Sequence, residues 1–169
     1  KNKNYGKQIE DVSYEDFSEN ISNHVGGYFL TSQQFGIFFK NHKGGNIINI
    51  GSIYGTLAPR FELYKGIEMT TPVEYAAIKA SIIQMTKYLS VHYAKWNIRV
   101  NCISPGPFPR PGTFSDGKEW FEDELKDMNP LHKLGEPWEL KGCIALLASN
   151  LGSYMTGQNI SVDGGWTIW

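Results

Sequence analysis

Tyr75 and Lys79 are four residues apart, at the start of a segment whose pattern predicts a helix, so the two side chains share one helical face. A phenol ordinarily titrates near 10 and is a poor acid–base group at neutral pH. An ammonium group beside a phenol favours the phenolate. A phenol tuned in this way can give a proton to a developing alkoxide or take one from an alcohol. Ser52, just beyond a predicted strand, offers a hydroxyl to the same substrate oxygen. By itself the spacing is common, because many helices carry a half-buried Tyr beside a solvated Lys. The surrounding residues have to decide.

Those residues alternate between helical and extended patterns. Helical periodicity runs from about Ser13 to Lys40, with Val25, Phe29, Phe35 and Phe38 among its apolar positions. The run Asn46-Ile47-Ile48-Asn49-Ile50 reads as a short buried strand, followed by a loop from Gly51 to Thr70. Thr71-Pro72-Val73-Glu74 predicts a helix start: Thr71 as cap, Pro72 in the first turn and Glu74 completing a capping box. That helix is expected to reach about Lys95, with Ile78, Ile82, Met85 and Leu89 on its buried face. Ile98 to Ile103 is a second strand, and the prolines from Pro105 to Pro111 then exclude regular structure. Trp120 to Met128 reads as a short acidic helix. Pro137 to Ser149 reads as another helix, with Ile144, Leu146 and Leu147 expected inside. Asn159 to Val162 is a third strand, ended by the turn Asp163-Gly164-Gly165. The rhythm is that of an α/β, Rossmann-like, doubly wound parallel sheet.

Five ordered motifs resemble the short-chain dehydrogenase/reductase family. Tyr75-Ala76-Ala77-Ile78-Lys79 matches its YxxxK motif, and Gly45 to Gly55 resembles the strand and turn bearing its catalytic Ser. Asn23-His24-Val25-Gly26-Gly27 is similar to the helix segment carrying its Asn, and Ile98 to Gly106 to its strand and PG turn. Tyr154 to Gln158 with Val162 to Gly165 matches its C-terminal signature. The resemblance implies a catalytic set of Asn23, Ser52, Tyr75 and Lys79, with Tyr75 as general acid/base and Asn23 holding a relay water. It also implies NAD or NADP held by Tyr75, Lys79, Pro105, Gly106 and Phe108, and substrate met by Ser52 and Tyr54.

Three departures accompany the resemblance. No Gly-rich turn for a dinucleotide pyrophosphate is present. At ~30 residues per βαβ unit, roughly 75–90 residues of the family fold are expected to lie upstream. Residues 1–169 are thus expected to form one incomplete domain of an α/β fold, inactive on its own. The stretch between Ser52 and Tyr75 is longer than usual, and its Arg60, Tyr64 and Lys65 suit a polar, phosphorylated or sugar-like substrate. With Met69 to Tyr75, it is similar to bacterial members linked to flagellin modification and surface sugars. Arg110 stands where the family often has a Thr, leaving Thr113 as a substitute. Phe108 to Pro130 corresponds to a substrate lid, with Trp120 and Phe121 as apolar covers.

Composition narrows the remaining classes. A net charge of −1 and no long basic run give no reason to expect nucleic acid or an anionic membrane as partner. No apolar stretch reaches the roughly 18–20 residues needed to span a bilayer. Two cysteines without metal spacing fit reduced thiols in the cytoplasm. The expected partner is a small molecule, such as a sugar derivative, and the expected assembly is a homotetramer or homodimer. Its contacts would come from the helix after Tyr75, the C-terminal strand and the aromatic tail. Two other functions share the pattern: a sugar epimerase or dehydratase using its cofactor transiently, and a non-catalytic truncated chain.

Overall fold

The computed structural model describes residues 6–66, 70–110, 112–114 and 119–169. Three parallel strands, β1 (Gly45–Ile50), β2 (Ile98–Pro105) and β3 (Asn159–Val162), form one sheet in the order β1-β2-β3. Gly45 pairs with Ile98 and Ile50 with Ile103, while Cys102 pairs with Asn159. Helices α1 (Tyr14–Lys40), α2 (Val73–Tyr93), α3 (Glu119–Asp127) and α4 (Lys141–Ala148) surround it.

The pleat sorts the β2 side chains onto two faces. Ile98, Val100 and Cys102 pack on α2 through Ile78, Ile82, Ile83, Leu89 and Tyr93. Arg99 and Asn101 point the other way, donating to the carbonyls of Leu147 at the end of α4 and of Met155. On β1 the same split puts Asn49 on Thr86 of α2 (2.8 Å) and Asn46 on the Leu147 carbonyl (2.7 Å). Helices therefore cover both faces, as the alternating pattern predicts. Burying the fully enclosed Ile82 and Val100 contributes roughly 1.5–3 kcal/mol each.

Several local expectations are corrected. Thr71 does not cap α2: Pro72 is the cap residue, and the Thr71 hydroxyl bonds to the Tyr64 phenol instead. Glu74 leaves the capping box as well, because it is fully buried and accepts from Asn20 of α1 (3.2 Å). Helix α2 stops at Tyr93, and a 3-10 turn then leads to Asn97, whose left-handed backbone (φ 57°) redirects the chain into β2. On α1, Val25 packs against the core, whereas Phe29, Phe35 and Phe38 are exposed, because α2 and β1 cover only part of the helix. Ile144 is also exposed, because α4 turns Leu147 inward instead. No helix among the described residues is long and apolar enough to cross a membrane.

Candidate active site

The carboxyl ends of β1 and β2 open onto a cavity of about 400 Å³. One wall is the turn after β1, where Ser52 is extended and its Oγ accepts from the Tyr54 amide. Tyr75 enters from the first turn of α2, and Ser52, Tyr54 and Tyr75 all line the cavity. The opposite wall is the loop after β2. Gly106 donates to the Val162 carbonyl (2.9 Å), and a Cβ there would lie 2.8 Å from the Asp163 Cα, so only glycine lets the loop run this close to the end of β3. Pro107 to Pro109 follow along the cavity, and Pro105 stays within β2.

Lys79 lies one turn below Tyr75, with Nζ 5.6 Å from the Tyr75 ring centroid. Its ammonium donates to the carbonyl of Ile50 at the end of β1 (3.0 Å). The Tyr28 hydroxyl of α1 donates to that same oxygen (3.1 Å). Burial lowers the Lys79 pKa, and nearby Cys102 acts in the opposite direction. Burial also raises the pKa values of Tyr28 and Cys102.

Of the expected set the cavity lining holds Ser52 and Tyr75 and leaves out Lys79 and Asn23. Asn23 is exposed on α1 and lines a neighbouring groove with Tyr28, Phe35 and the outer side of β1. Among the described residues no hydrogen bond ties it to Lys79.

The long stretch after Ser52 does roof the cavity, with a different division of labour from the one expected. Leu63 is buried with Ile53, Phe121, Leu125 and Trp166, and Tyr64 lines the cavity. Lys65 is exposed and outside the lining. Arg60 turns away to hold the C-terminal tail: it donates to the Trp169 carbonyl (2.9 Å) and to Met128 Sδ, and lies 5.9 Å from the Trp166 ring centroid. Residues 67–69 of this stretch, including Met69, and residues 111 and 115–118 of the expected lid, lie outside the described residues.

Within the lid, Phe121 is buried against the cavity, whereas Trp120 is 45% exposed and covers nothing there. A nine-residue helix with one packed side turns adjacent positions about 100° apart, so only one of the two can face inward. Thr113 lines the cavity, and its hydroxyl donates to the Arg110 carbonyl (2.7 Å). Trp166 is core (1% exposed), and the Asp163 carboxylate accepts from the amides of Gly165 and Thr167, confirming the structural turn. Sequence reasoning missed Tyr64 and Thr71 as a bonded pair at the cavity wall, because their partnership crosses a loop of irregular geometry.

Comparisons with known proteins agree with this architecture. The family model described as enoyl-(acyl carrier protein) reductase matches residues 1–167. The post-translational flagellin modification protein A of Campylobacter coli is 34% identical over 167 residues, covering 98% of this chain and 63% of that protein. Galactitol 2-dehydrogenase (L-tagatose-forming) of Cereibacter sphaeroides is 35% identical over 147 residues, covering 86% and 54%. A crystal structure of a short chain dehydrogenase from Leptospira borgpetersenii with bound NAD+ superposes with a TM-score of 0.84 at 38% identity, covering 96% of this chain and 61% of that one. The chain belongs to the short-chain dehydrogenase/reductase family. It spans less than two thirds of the length of each of these three relatives.

Proposed function

We propose that the protein containing this chain is an NAD- or NADP-dependent oxidoreductase interconverting an alcohol and a carbonyl, with Tyr75 as general acid/base. The observation that carries this reading is the shared cavity of Ser52 and Tyr75, faced by the loop Gly106 to Pro109. That loop suits a nicotinamide carboxamide. Pro107 and Pro109 have no amide proton and the Gly106 amide is already spent on Val162, so the Phe108 amide is the donor left between the prolines. Pro105 and Gly106 would set that backbone, and Lys79 would reach the ribose hydroxyls. The bound cofactor would supply the hydride acceptor or donor.

The remaining chemistry belongs to the chain's own residues. The Ser52 hydroxyl holds the reacting oxygen of the substrate. The Tyr75 hydroxyl passes its proton to that oxygen during reduction and takes it back during oxidation. Lys79, held by the Ile50 carbonyl, places a positive charge 5.6 Å from the centroid of the Tyr75 ring. Asn23 would steady a water linking Lys79 to solvent. Its exposure supports this role, as does its place on α1, which reaches the same carbonyl through Tyr28. Tyr54 contacts the substrate beyond the reacting oxygen.

The relatives' names include a flagellin modification protein and a galactitol dehydrogenase, which supports a sugar-derived small molecule as substrate. A cytoplasmic homodimer or homotetramer is the assembly we propose. Exposed Tyr88 and Val91 on α2, with Ile168 and Trp169 near the C-terminus, support such contacts.

The test is turnover by the full-length protein with a panel of alcohols and NAD+ or NADP+, followed by absorbance of the reduced cofactor. Tyr75→Phe should lower kcat by roughly 10²–10⁴-fold. A variant as fast as its parent would refute the assignment, and product without net cofactor reduction would favour the epimerase or dehydratase chemistry.

A further inference from the structure

Beside the reacting groups the cavity lining carries further hydroxyls, among them those of Tyr54, Tyr64 and Thr71. Thr71 Oγ donates to the Tyr64 phenol (2.9 Å). All three residues line the cavity that holds Ser52 and Tyr75. Each hydroxyl owns one proton, and this bond consumes the one on Thr71. The Tyr54 and Tyr64 hydroxyls make no further hydrogen bond among the described residues. Burial, and after it the neighbouring Tyr64, raises the Tyr54 pKa, which keeps this phenol neutral at any physiological pH.

The rest of the lining constrains the ligand further. Among the described residues, no lining side chain carries a formal charge. Arg60, on the roof, turns its guanidinium to Trp169, Met128 and Trp166 and acts on Tyr54 only through space. A phosphate brought here would lose its hydration with no ammonium or guanidinium among the described lining residues to replace it. Aromatic faces fill the remaining wall: Tyr64, Phe108, Phe114, Phe121 and Trp166. Flat apolar surface and a set of hydroxyls match a ring with C–H faces and hydroxyl edges.

We propose that Tyr54 and Tyr64, the latter tied to Thr71, are specificity residues that read a second hydroxyl on an uncharged, ring-shaped sugar, and that the site rejects phosphorylated sugars. The proposal rests on the oxidoreductase reading for the identity of the reacting oxygen, while the hydroxyls themselves stand on the geometry of the wall.

The test uses the full-length protein with NAD+ or NADP+ and three probe groups: neutral hexoses, the 6-phosphates of the same hexoses, and cyclohexanol as a ring with one hydroxyl. The preferred hexose should exceed its 6-phosphate in kcat/KM by on the order of 100-fold, the cost of a charge without a partner. Tyr64→Phe should lower kcat/KM for that hexose roughly 10-fold, mainly through KM, and leave cyclohexanol within about 2-fold. A preference for the phosphate, or an equal loss on hexose and cyclohexanol, overturns the proposal. Should no alcohol be oxidised, the oxidoreductase reading fails by itself. Calorimetric titration with the same hexoses then judges the wall alone: binding weakened by Tyr64→Phe supports it, and absent or unaltered binding overturns it.

Discussion

Lys79 reaches the carbonyl of Ile50, not the hydroxyl of Tyr75, and its Nζ lies 5.6 Å from the Tyr75 ring centroid. The ammonium is thus anchored by the end of β1. This arrangement couples the sheet to the candidate chemistry, because any shift of β1 relative to α2 moves the charge. It also has a stability cost, since the ammonium is drawn out of water.

That cost has a sign that can be measured. Unfolded, Lys79 takes the ordinary lysine value of 10.5, and folded it titrates lower because of burial. Below the folded value both states hold the proton and the penalty is fully present. Between the folded value and 10.5 the unfolded chain binds more protons, so this group's contribution to stability rises with pH. Lys79→Met removes the penalty, and Tyr28 still donates to Ile50. Thermal melts should show the variant at or above the parent at pH 7, with the gap narrowing as pH approaches 10.5. A gap that widens with pH would contradict the burial argument.

Gly55 marks the closest approach between the serine turn and α2. A Cβ there would lie 2.6 Å from Ile83 Cδ1 and 2.8 Å from the backbone carbonyl of Lys79. The side chain could yield, but the helix backbone cannot do so cheaply. Gly55→Ala is expected to destabilise by about 1–3 kcal/mol, read by urea denaturation, and to reduce turnover more than stability alone explains. An unchanged midpoint would mean that the turn and helix are less tightly packed than described.

Arg60 joins the roof of the cavity to the C-terminal tail. Arg60→Met keeps the stem but loses the bond to the Trp169 carbonyl and the guanidinium beside the Trp166 ring. The loss should be about 1–2 kcal/mol in chemical denaturation. Lys at this position should recover only part of it, because one ammonium cannot match the guanidinium's divided contacts. Full recovery by Lys would point to charge alone.

Phe121 and Trp120 are neighbours with opposite roles. Phe121→Ala opens a hole between the roof and Trp166 and should cost roughly 3–5 kcal/mol. Trp120→Ala should stay within about 1 kcal/mol, since nearly half of its surface is already in water. Denaturant midpoints of the two variants give the comparison directly, and similar losses would reverse the assignment of the inward face.

The strands, the long helices and the placement of Ser52, Tyr75 and Lys79 were legible because each depends on short-range rules. Short β-branched runs bounded by glycine make buried strands, a spacing of four puts Tyr75 and Lys79 on one face, and small residues mark the turns. Those rules say nothing about which side of a helix has a neighbour. Phe29, Phe35 and Phe38 look like core in one dimension and are exposed in three, because α2 and β1 cover only part of α1.

Side chains with two possible partners were decided by tertiary structure alone. Thr71 and Glu74 read as a capping box, and both exchange that local bond for a distant one, with Tyr64 and Asn20 respectively. Arg60 reads as a contact for a polar substrate and braces the tail. Local bonds can be anticipated from spacing. A competing bond appears only after packing has brought the alternative group within reach and excluded the water that would otherwise satisfy either choice.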